Sequence, residues 1–361
     1  MGSISPEERT YPLKKPAGHK PPVPRWSLRF HDSSITHLYT LYIGVQCHSG
    51  NTTARTKAED TISTLLNNST SSNPATDTFR VTEGFDTTDS KVWALYFTHP
   101  DPFTSTLQTL NLPRIWNTLP SKPDIGLWIE HFTAPISRLE TNYSRLAHKP
   151  GLAQLPNTTQ PAHELTAYWG AGRDRIPDSA TDQFPTPSDL PKPPPFLGEI
   201  PRGYGQHLTG TNYDHMCHIR SGQWWAQCED AERRAYEQDL QIALMDGMRY
   251  LWQHPRETGT LGLRFLQNTT NDQEERRLRE TCGAGFFRNW SDLEKWSSRH
   301  PSHLAIFNGA MAHAKRFGED RKFMTWHEVF ILKAGEATME YVNCGPETGV
   351  IKWVQMERED L

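Results

Sequence analysis

The sequence predicts an α+β protein in which strand-like segments alternate with amphipathic helices. Two observations carry that prediction. Runs such as Leu38–Cys47 and Met324–Leu332 are rich in β-branched and aromatic residues, and between such runs lie stretches whose apolar residues recur every three or four positions. A third observation makes a folded core feasible: 12 Trp, 15 Phe and 11 Tyr supply large apolar surfaces although only 35% of the residues are hydrophobic.

Taken in order, residues 1–25 carry Pro6, Pro12, Pro16, Pro21, Pro22 and Pro24 and read as an extended N-terminal arm. Proline offers no amide donor and fixes φ, so such a segment does not build regular structure. The strand Leu38–Cys47 is followed by a helix around Ala54–Asn67, with Ala58, Ile62 and Leu65 at helical spacing. Val92–Phe97 reads as a strand, Phe103–Leu110 as a short helix, Ile125–Phe132 as a strand and Ile136–Leu146 as a helix. A second proline-rich segment, 184–205, connects this half, about 26–183, to another, about 206–361, within one expected domain over 26–361. The clearest helix is expected over Trp224–Trp252, where Leu240, Leu244, Met248 and Leu251 repeat and Pro255 stops the run. Ser291-Asp292-Leu293-Glu294 has the pattern of a capping box opening a helix that ends near His300-Pro301. The next helix begins at about Ser302, with Leu304, Phe307, Met311 and Ala314 on one side. Met324–Leu332 reads as a strand with Met339–Cys344 as its partner. No residue-level repeat relates the two halves.

Composition excludes several functions. Lys and Arg number 38 against 42 Asp and Glu, a net charge of −4 without a basic block, which argues against a dedicated nucleic-acid binder. No run approaches the ~20 apolar residues of a membrane span. Met1-Gly2-Ser3-Ile4-Ser5-Pro6 leads into no apolar stretch, so no secretion signal is expected and Asn-x-Ser/Thr triplets such as those at Asn51, Asn68, Asn142, Asn157, Asn268 and Asn289 read as chance. Cys47, Cys217, Cys228, Cys282 and Cys344 are odd in number and show no CxxC spacing, which suits a reducing cytoplasm.

Sixteen histidines are the main chemical resource. His215-x-x-His218 and His300-x-x-His303 have the spacing of a helical metal face, a weak two-residue match for which surface histidines are the plainer reading. HExxH, GxGxxG, the P-loop and GxSxG are all absent. Alternation sets His327 on the same face as Val329 and Ile331, either as a satisfied core histidine or as a group open to pKa tuning. His303, beside the apolar stripe of its helix, is either an iron ligand or a solvent-facing histidine. Ser221 is either an N-cap of the long helix or a functional hydroxyl, and Tyr168–Pro177, with Arg173, Asp174 and Arg175, is either a salt-bridged turn or part of a site. Spacing alone does not choose.

Together these segments resemble the aldoxime dehydratases, haem-dependent enzymes that convert R–CH=N–OH into a nitrile and water. The resemblance spans most of the chain, from Tyr42-Ile43-Gly44-Val45-Gln46 to the stretch from Glu340 to Gly349. It is carried by Tyr168-Trp169-Gly170 with Arg173-Asp174-Arg175, by Ile219-Arg220-Ser221-Gly222-Gln223, by Leu293–Trp296, by His300–Leu304 and by His327. Ala171-Gly172, where the bacterial members tend to have Ser-Met, and the proline-rich 184–201 depart from the pattern.

The resemblance implies two ferredoxin-like halves whose antiparallel sheets face each other around haem b, as in dimeric α+β barrels, usually in a homodimer. It assigns His303 as the proximal ligand of the haem iron, Ser221 and His327 to the distal pocket, Arg175 close by and Glu140 as a distal carboxylate. The implied reaction has the oxime nitrogen on ferrous haem, Ser221 holding the oxime oxygen, and His327 as general acid and then base, a contribution of ~10²–10⁴-fold. Trp224, Trp225, Phe286, Phe287 and Phe307 are the candidates for an apolar pocket wall. The implied partners are a small-molecule aldoxime and a second copy, with no nucleic acid and no membrane. Competing readings are a haem protein of the same scaffold with peroxidase-like or chlorite-decomposing chemistry, a non-catalytic haem sensor, and a cofactor-free binding protein.

Overall fold

Long apolar strands wrapped by amphipathic helices set the architecture. The computed structural model describes residues 9–69, 74–186, 200–270 and 279–361. The first half runs β1 (His37–Cys47), α1 (Thr52–Ser69), β2 (Ala75–Gly84), β3 (Lys91–Phe97), α2 (Pro100–Thr109), α3 (Leu112–Thr118) and β4 (Ile125–Pro135). β5 (Leu139–Tyr143) and β6 (Gln206–Thr211) follow. The second half runs β7 (Met216–Trp224), α4 (Asp230–Ala235), a π turn, α5 (Gln241–Gln253), β8 (Thr260–Asn268), β9 (Glu280–Phe287), α6 (Trp290–Arg299), α7 (Pro301–Phe317) and β10 (Met324–Leu332). β11 (Ala337–Val342) and β12 (Met356–Asp360) end the chain.

These twelve strands join one sheet in the order β12-β6-β11-β4-β1-β3-β2-β8-β9-β7-β10-β5, and two short segments, Arg29–Phe30 and Thr158–Thr159, pair separately. Within it, β4-β1-β3-β2 and β10-β7-β9-β8 are two copies of the ferredoxin-like βαββαβ order. They meet edge to edge through the antiparallel pair β2–β8. One face of both copies closes over a shared core containing Phe79, Trp128, Phe132, Trp326, Phe330 and Tyr341. The Phe132 and Phe330 rings, one from each half, lie 5.1 Å apart, so the two sheets face each other across this core. The outer face of the first copy is covered by α1–α3. That of the second is covered by α5 and α6.

The two halves do share a residue-level repeat, contrary to expectation. Gly44 on β1 stands opposite Trp128 on β4, and Gly222 on β7 stands opposite Trp326 on β10. At both glycines a Cβ would fall inside the facing indole ring, so only glycine permits the approach. Beside these pairs, Ile43 faces Ile129 in the first half, and Ser221 faces His327 in the second. The repeat escapes the sequence because only these few registered positions keep it.

Several local expectations change. Residues 139–143 form a strand after a single 3-10 turn at Ile136–Arg138, because pairing with β10 buries all five residues. The helix expected from Trp224 starts at Asp230, and Ser221 lies in mid-strand in β7 rather than capping anything. β11 does not pair with β10 but lies between β4 and β6. Asn289, not Ser291, caps α6 by accepting from the Asp292 amide, and Glu294 is drawn into ion pairs with Lys14 and Arg173 instead. Part of the arm is pinned to the body, with the Lys14 and Lys15 amides donating to Asp174 at 2.9 and 2.8 Å. Residues 1–8 of the arm and 187–199 of the proline-rich connection lie outside the described residues.

Candidate active site

The strand period of two sorts β7 and β10 into an inner face and a helix-covered face. Arg220, Gly222, Trp326 and Glu328 point to the inner core, so Ser221 and His327 emerge on the other side. Registered pairing then lines up Ser221 on β7, His327 on β10 and Asn142 on β5 in one row across three strands. The next strand position on the other side of Ser221 is Gly283 on β9. In the first half the same row reads Trp93, Ile43, Ile129. The second half thus carries glycine where the first packs an indole, and polar groups where the first packs isoleucines.

The consequence is a cavity between this face and helices α5, α6 and α7, on the outer side of the second half and not between the two facing sheets where the resemblance sets the haem, because aromatic side chains fill that inner space. Met248, Leu263, Phe287, Trp296, Ile306 and Phe307 are among its apolar lining residues. Of the five aromatics expected to wall a pocket, Phe287 and Phe307 do so, whereas Phe286 belongs to the shared core and Trp225 packs on Tyr236. Trp224 also lies in the shared core.

His303 enters from the opposite wall. Pro301 opens α7 and the His300 ring accepts from the Ser302 amide, which fixes the first turn on which His303 sits. The Trp296 indole packs edge-to-face on the His303 ring at 4.7 Å, and its Nε1 donates to Ser302 Oγ at 3.2 Å. Burial pushes the His303 pKa down to about 4, against the opposing pull of the Ser297 carbonyl, so the neutral imidazole is the resting form. Neutral imidazole is the form that ligates a metal. Trp169 stands beside both histidines, its ring 6.4 Å from that of His303 and 4.7 Å from that of His327.

Behind His327 lies a fully buried carboxylate. His327 Nε2 is 2.9 Å from Glu140 Oε1, and the Arg175 guanidinium binds the same oxygen through Nε. A second Arg175 nitrogen donates to the Thr166 carbonyl at 2.5 Å, and the guanidinium packs over Trp169. Burial alone would raise the Glu140 pKa, but His327 and Arg175 outweigh it and hold it down to about 2. Glu140 is therefore ionised at any ordinary pH.

Of the residues singled out in the sequence, His303, Ser221 and His327 line the cavity, while Glu140 and Arg175 form the layer behind His327. The other histidine pattern dissolves: His215 sits on a turn and His218 on a strand inside an aromatic box of Tyr42, Phe132 and Phe286. Asn142, Gly283 and Arg25 also line the cavity and were not anticipated. Nothing in their local sequence marks them, since β5 read as helix and Arg25 as the end of an arm. Among the described residues no cluster of three or more His, Cys, Asp or Glu is arranged to hold a bare metal ion, and no helix is long and apolar enough to cross a membrane.

The donor set fits a haem. An apolar cavity offers one neutral imidazole from a helix and a second imidazole with a hydroxyl from the facing sheet, and no acidic side chain lines it.

Comparison with known proteins points the same way. The sequence profile described as haem-containing dehydratase matches residues 41–350. A phenylacetaldoxime dehydratase of Bacillus sp. (strain OxB-1) is 29% identical over 277 residues, covering 76% of this chain and 77% of that protein. An aliphatic aldoxime dehydratase of Pseudomonas chlororaphis is 28% identical over 350 residues, 95% of each chain. A crystal structure of an aldoxime dehydratase aligns with a TM-score of 0.78 at 26% identity and covers 98% of both chains. An aldoxime dehydratase crystallised with butyraldoxime gives the same TM-score of 0.78 at 24% identity, over 98% of this chain and 97% of that one.

Proposed function

The chain belongs to the family of haem-containing dehydratases, and on that premise we propose that it dehydrates aldoximes, R–CH=N–OH, to nitriles and water. The observation that carries this reading is the pair of walls: His303 on α7 facing the row of Ser221 and His327 on the sheet across one apolar cavity. His303 would hold the haem iron, and the haem supplies, when bound, a metal centre that takes the oxime nitrogen and weakens the N–O bond.

The remaining work falls to side chains. Ser221 holds the oxime oxygen by a hydrogen bond and turns it toward His327. Because Nε2 of His327 is engaged by Glu140, Nδ1 is the atom that delivers a proton to the departing oxygen, which leaves as water. The imidazole, now neutral, takes the proton from the oxime carbon, so the ring returns to its starting state and the nitrile is complete. Glu140, held anionic, stabilises the imidazolium between these transfers, and Arg175 fixes the carboxylate in place. The apolar lining keeps bulk water from the reacting atoms.

The cofactor in this reading is haem b in its ferrous state, held by one catalytic domain over residues 26–361. A cytoplasmic setting is supported by the five cysteines all being free. A homodimer follows from the resemblance to the family, and sedimentation tests it. The function itself is tested by adding phenylacetaldoxime anaerobically to the dithionite-reduced, haem-loaded protein and measuring phenylacetonitrile. Stoichiometric turnover beyond one equivalent is expected. Haem uptake with no nitrile from aromatic or aliphatic aldoximes would favour a haem sensor.

A further inference from the structure

Arg25 is the one permanently charged side chain lining the cavity among the described residues, and no Asp or Glu lines it. Its only hydrogen bond among them is a long one, 3.5 Å, to the carbonyl of the preceding residue, Pro24. The guanidinium is half-buried at the cavity, and no side chain lining it supplies a counter-charge, which leaves that role to an anionic ligand. The surroundings sharpen this: burial, Arg321 and Arg175 all act against the Arg25 charge, lowering its pKa to about 10, with no carboxylate opposing them.

The backbone holds Arg25 rigidly. Pro22 and Pro24 stiffen the approach, the His163 amide donates to the Arg25 carbonyl at 3.0 Å, and Trp26 exchanges backbone hydrogen bonds with Tyr143 at 3.1 and 2.9 Å. These contacts fasten the segment to the edge of β5, next to Ser144. The Thr325 amide donates to Ser144 Oγ at 2.8 Å, so the serine hydroxyl proton remains available, and Ser144 and Thr325 both line the cavity. Arg25, Ser144 and Thr325 thus form an end of the cavity that offers hydrogen-bond donors.

We propose that Arg25 anchors a propionate carboxylate of the bound haem, with the Ser144 hydroxyl as a second donor at that end of the cavity. The inference rests on the haem reading of the site. It follows from charge: an aldoxime is neutral, and a ferrous porphyrin centre is neutral, so the two propionates are the only anions the proposed ligands bring. The last residue of the N-terminal arm becomes part of the binding site.

The test compares haem b with its dimethyl ester, in which both propionates are uncharged. Wild-type protein loaded with each is mixed with excess apomyoglobin, and haem loss is followed in the Soret region. Wild type is expected to release the ester about tenfold or more faster than haem b, the scale of a hydrogen bond to a charged group. Arg25→Gln should release haem b nearly as fast as the ester, and Arg25→Lys should recover part of the difference. Equal effects of esterification in wild type and Arg25→Gln would overturn the assignment. It fails equally if wild type does not discriminate between the two compounds, because the anion Arg25 awaits would then be carried by another ligand. A wild-type protein that forms no Soret-absorbing complex with either compound would overturn the haem reading itself, an outcome distinct from both.

Discussion

The Glu140 carboxylate is fully buried, and its charge survives only because His327 and Arg175 share one of its oxygens. With its pKa held down to about 2, the stability it adds is present above the ordinary carboxylate range and is lost only as pH falls through about 2. Glu140 therefore contributes no limb to an activity profile between pH 5 and 9. Its charge acts on its neighbour, the imidazole whose Nε2 it holds at 2.9 Å. Glu140→Gln should accordingly lower kcat and leave KM nearly unchanged, because the carboxylate acts on the imidazole that transfers the proton and not on substrate binding. A raised KM with kcat intact would mean that Glu140 shapes the pocket and does not support the proton transfer. The two histidines separate by a different readout. His303→Ala should abolish the Soret band of the haem-loaded protein. His327→Ala should retain the band and lose turnover by ~10²–10⁴-fold, the range for a general acid. A full Soret band in His303→Ala would remove it as the axial ligand.

At the level of elements, what was legible in the sequence depended on whether the deciding contacts were local. β1 and β10 announce themselves because every other residue must be apolar on a face that is always covered, and α5 because its stripe is continuous. β5 was misread because Leu139–Tyr143 is too short for periodicity to speak, and its identity comes from a strand nearly two hundred residues away. β2, β8 and β9 went unread, yet they decide the topology. Ser221, His303 and His327 were visible as reactive residue types, and the resemblance joined them. Gly283 was silent, because its meaning lies in comparison with Trp93, its counterpart in the first half. That comparison carries a prediction. A Cβ at Gly283 would meet Met248 Cε at 2.8 Å, the free end of a flexible side chain that can swing aside. Gly283→Leu should fold, fill the cavity and leave the melting temperature of the haem-free protein unchanged or raised, while haem uptake in a Soret titration falls at least tenfold. Normal haem uptake would show that the missing indole is not what opens the site.

On the scale of the whole molecule, the halves are held together by charges sealed in the shared core. Arg264 of β8 pairs with Glu130 of β4 at 2.8 Å and with Asp86 at 3.1 Å, and Arg220 of β7 pairs with Asp77 of β2 at 2.5 Å. Each pair crosses from one half to the other, so removing one partner would strand a charge that neither half can solvate. Glu328, the inner-face neighbour of His327, belongs to this layer. Its carboxylate accepts from the Leu152 amide at 2.7 Å and from the Tyr96 hydroxyl at 3.0 Å. Burial nevertheless dominates over these bonds and over Arg220, and raises the pKa from 4.5 to about 7. In the unfolded chain the same group ionises at its ordinary pKa, so the folded state binds an extra proton between pH 4.5 and 7. The stability this gives is complete below pH 4.5 and is lost as pH rises through about 7. A displacement of that size corresponds to a loss of about 3 kcal/mol across the window. Glutamine keeps the shape and the acceptor but cannot ionise, so Glu328→Gln should show none of this loss. Denaturant melts of both proteins at pH 5, 6, 7 and 8 would measure it: the variant should gain on wild type steadily with pH, then level off. Parallel stability curves would mean that Glu328 titrates alike in the folded and unfolded states, and that the inner layer beneath the row of Ser221 and His327 is not the dry environment its burial implies.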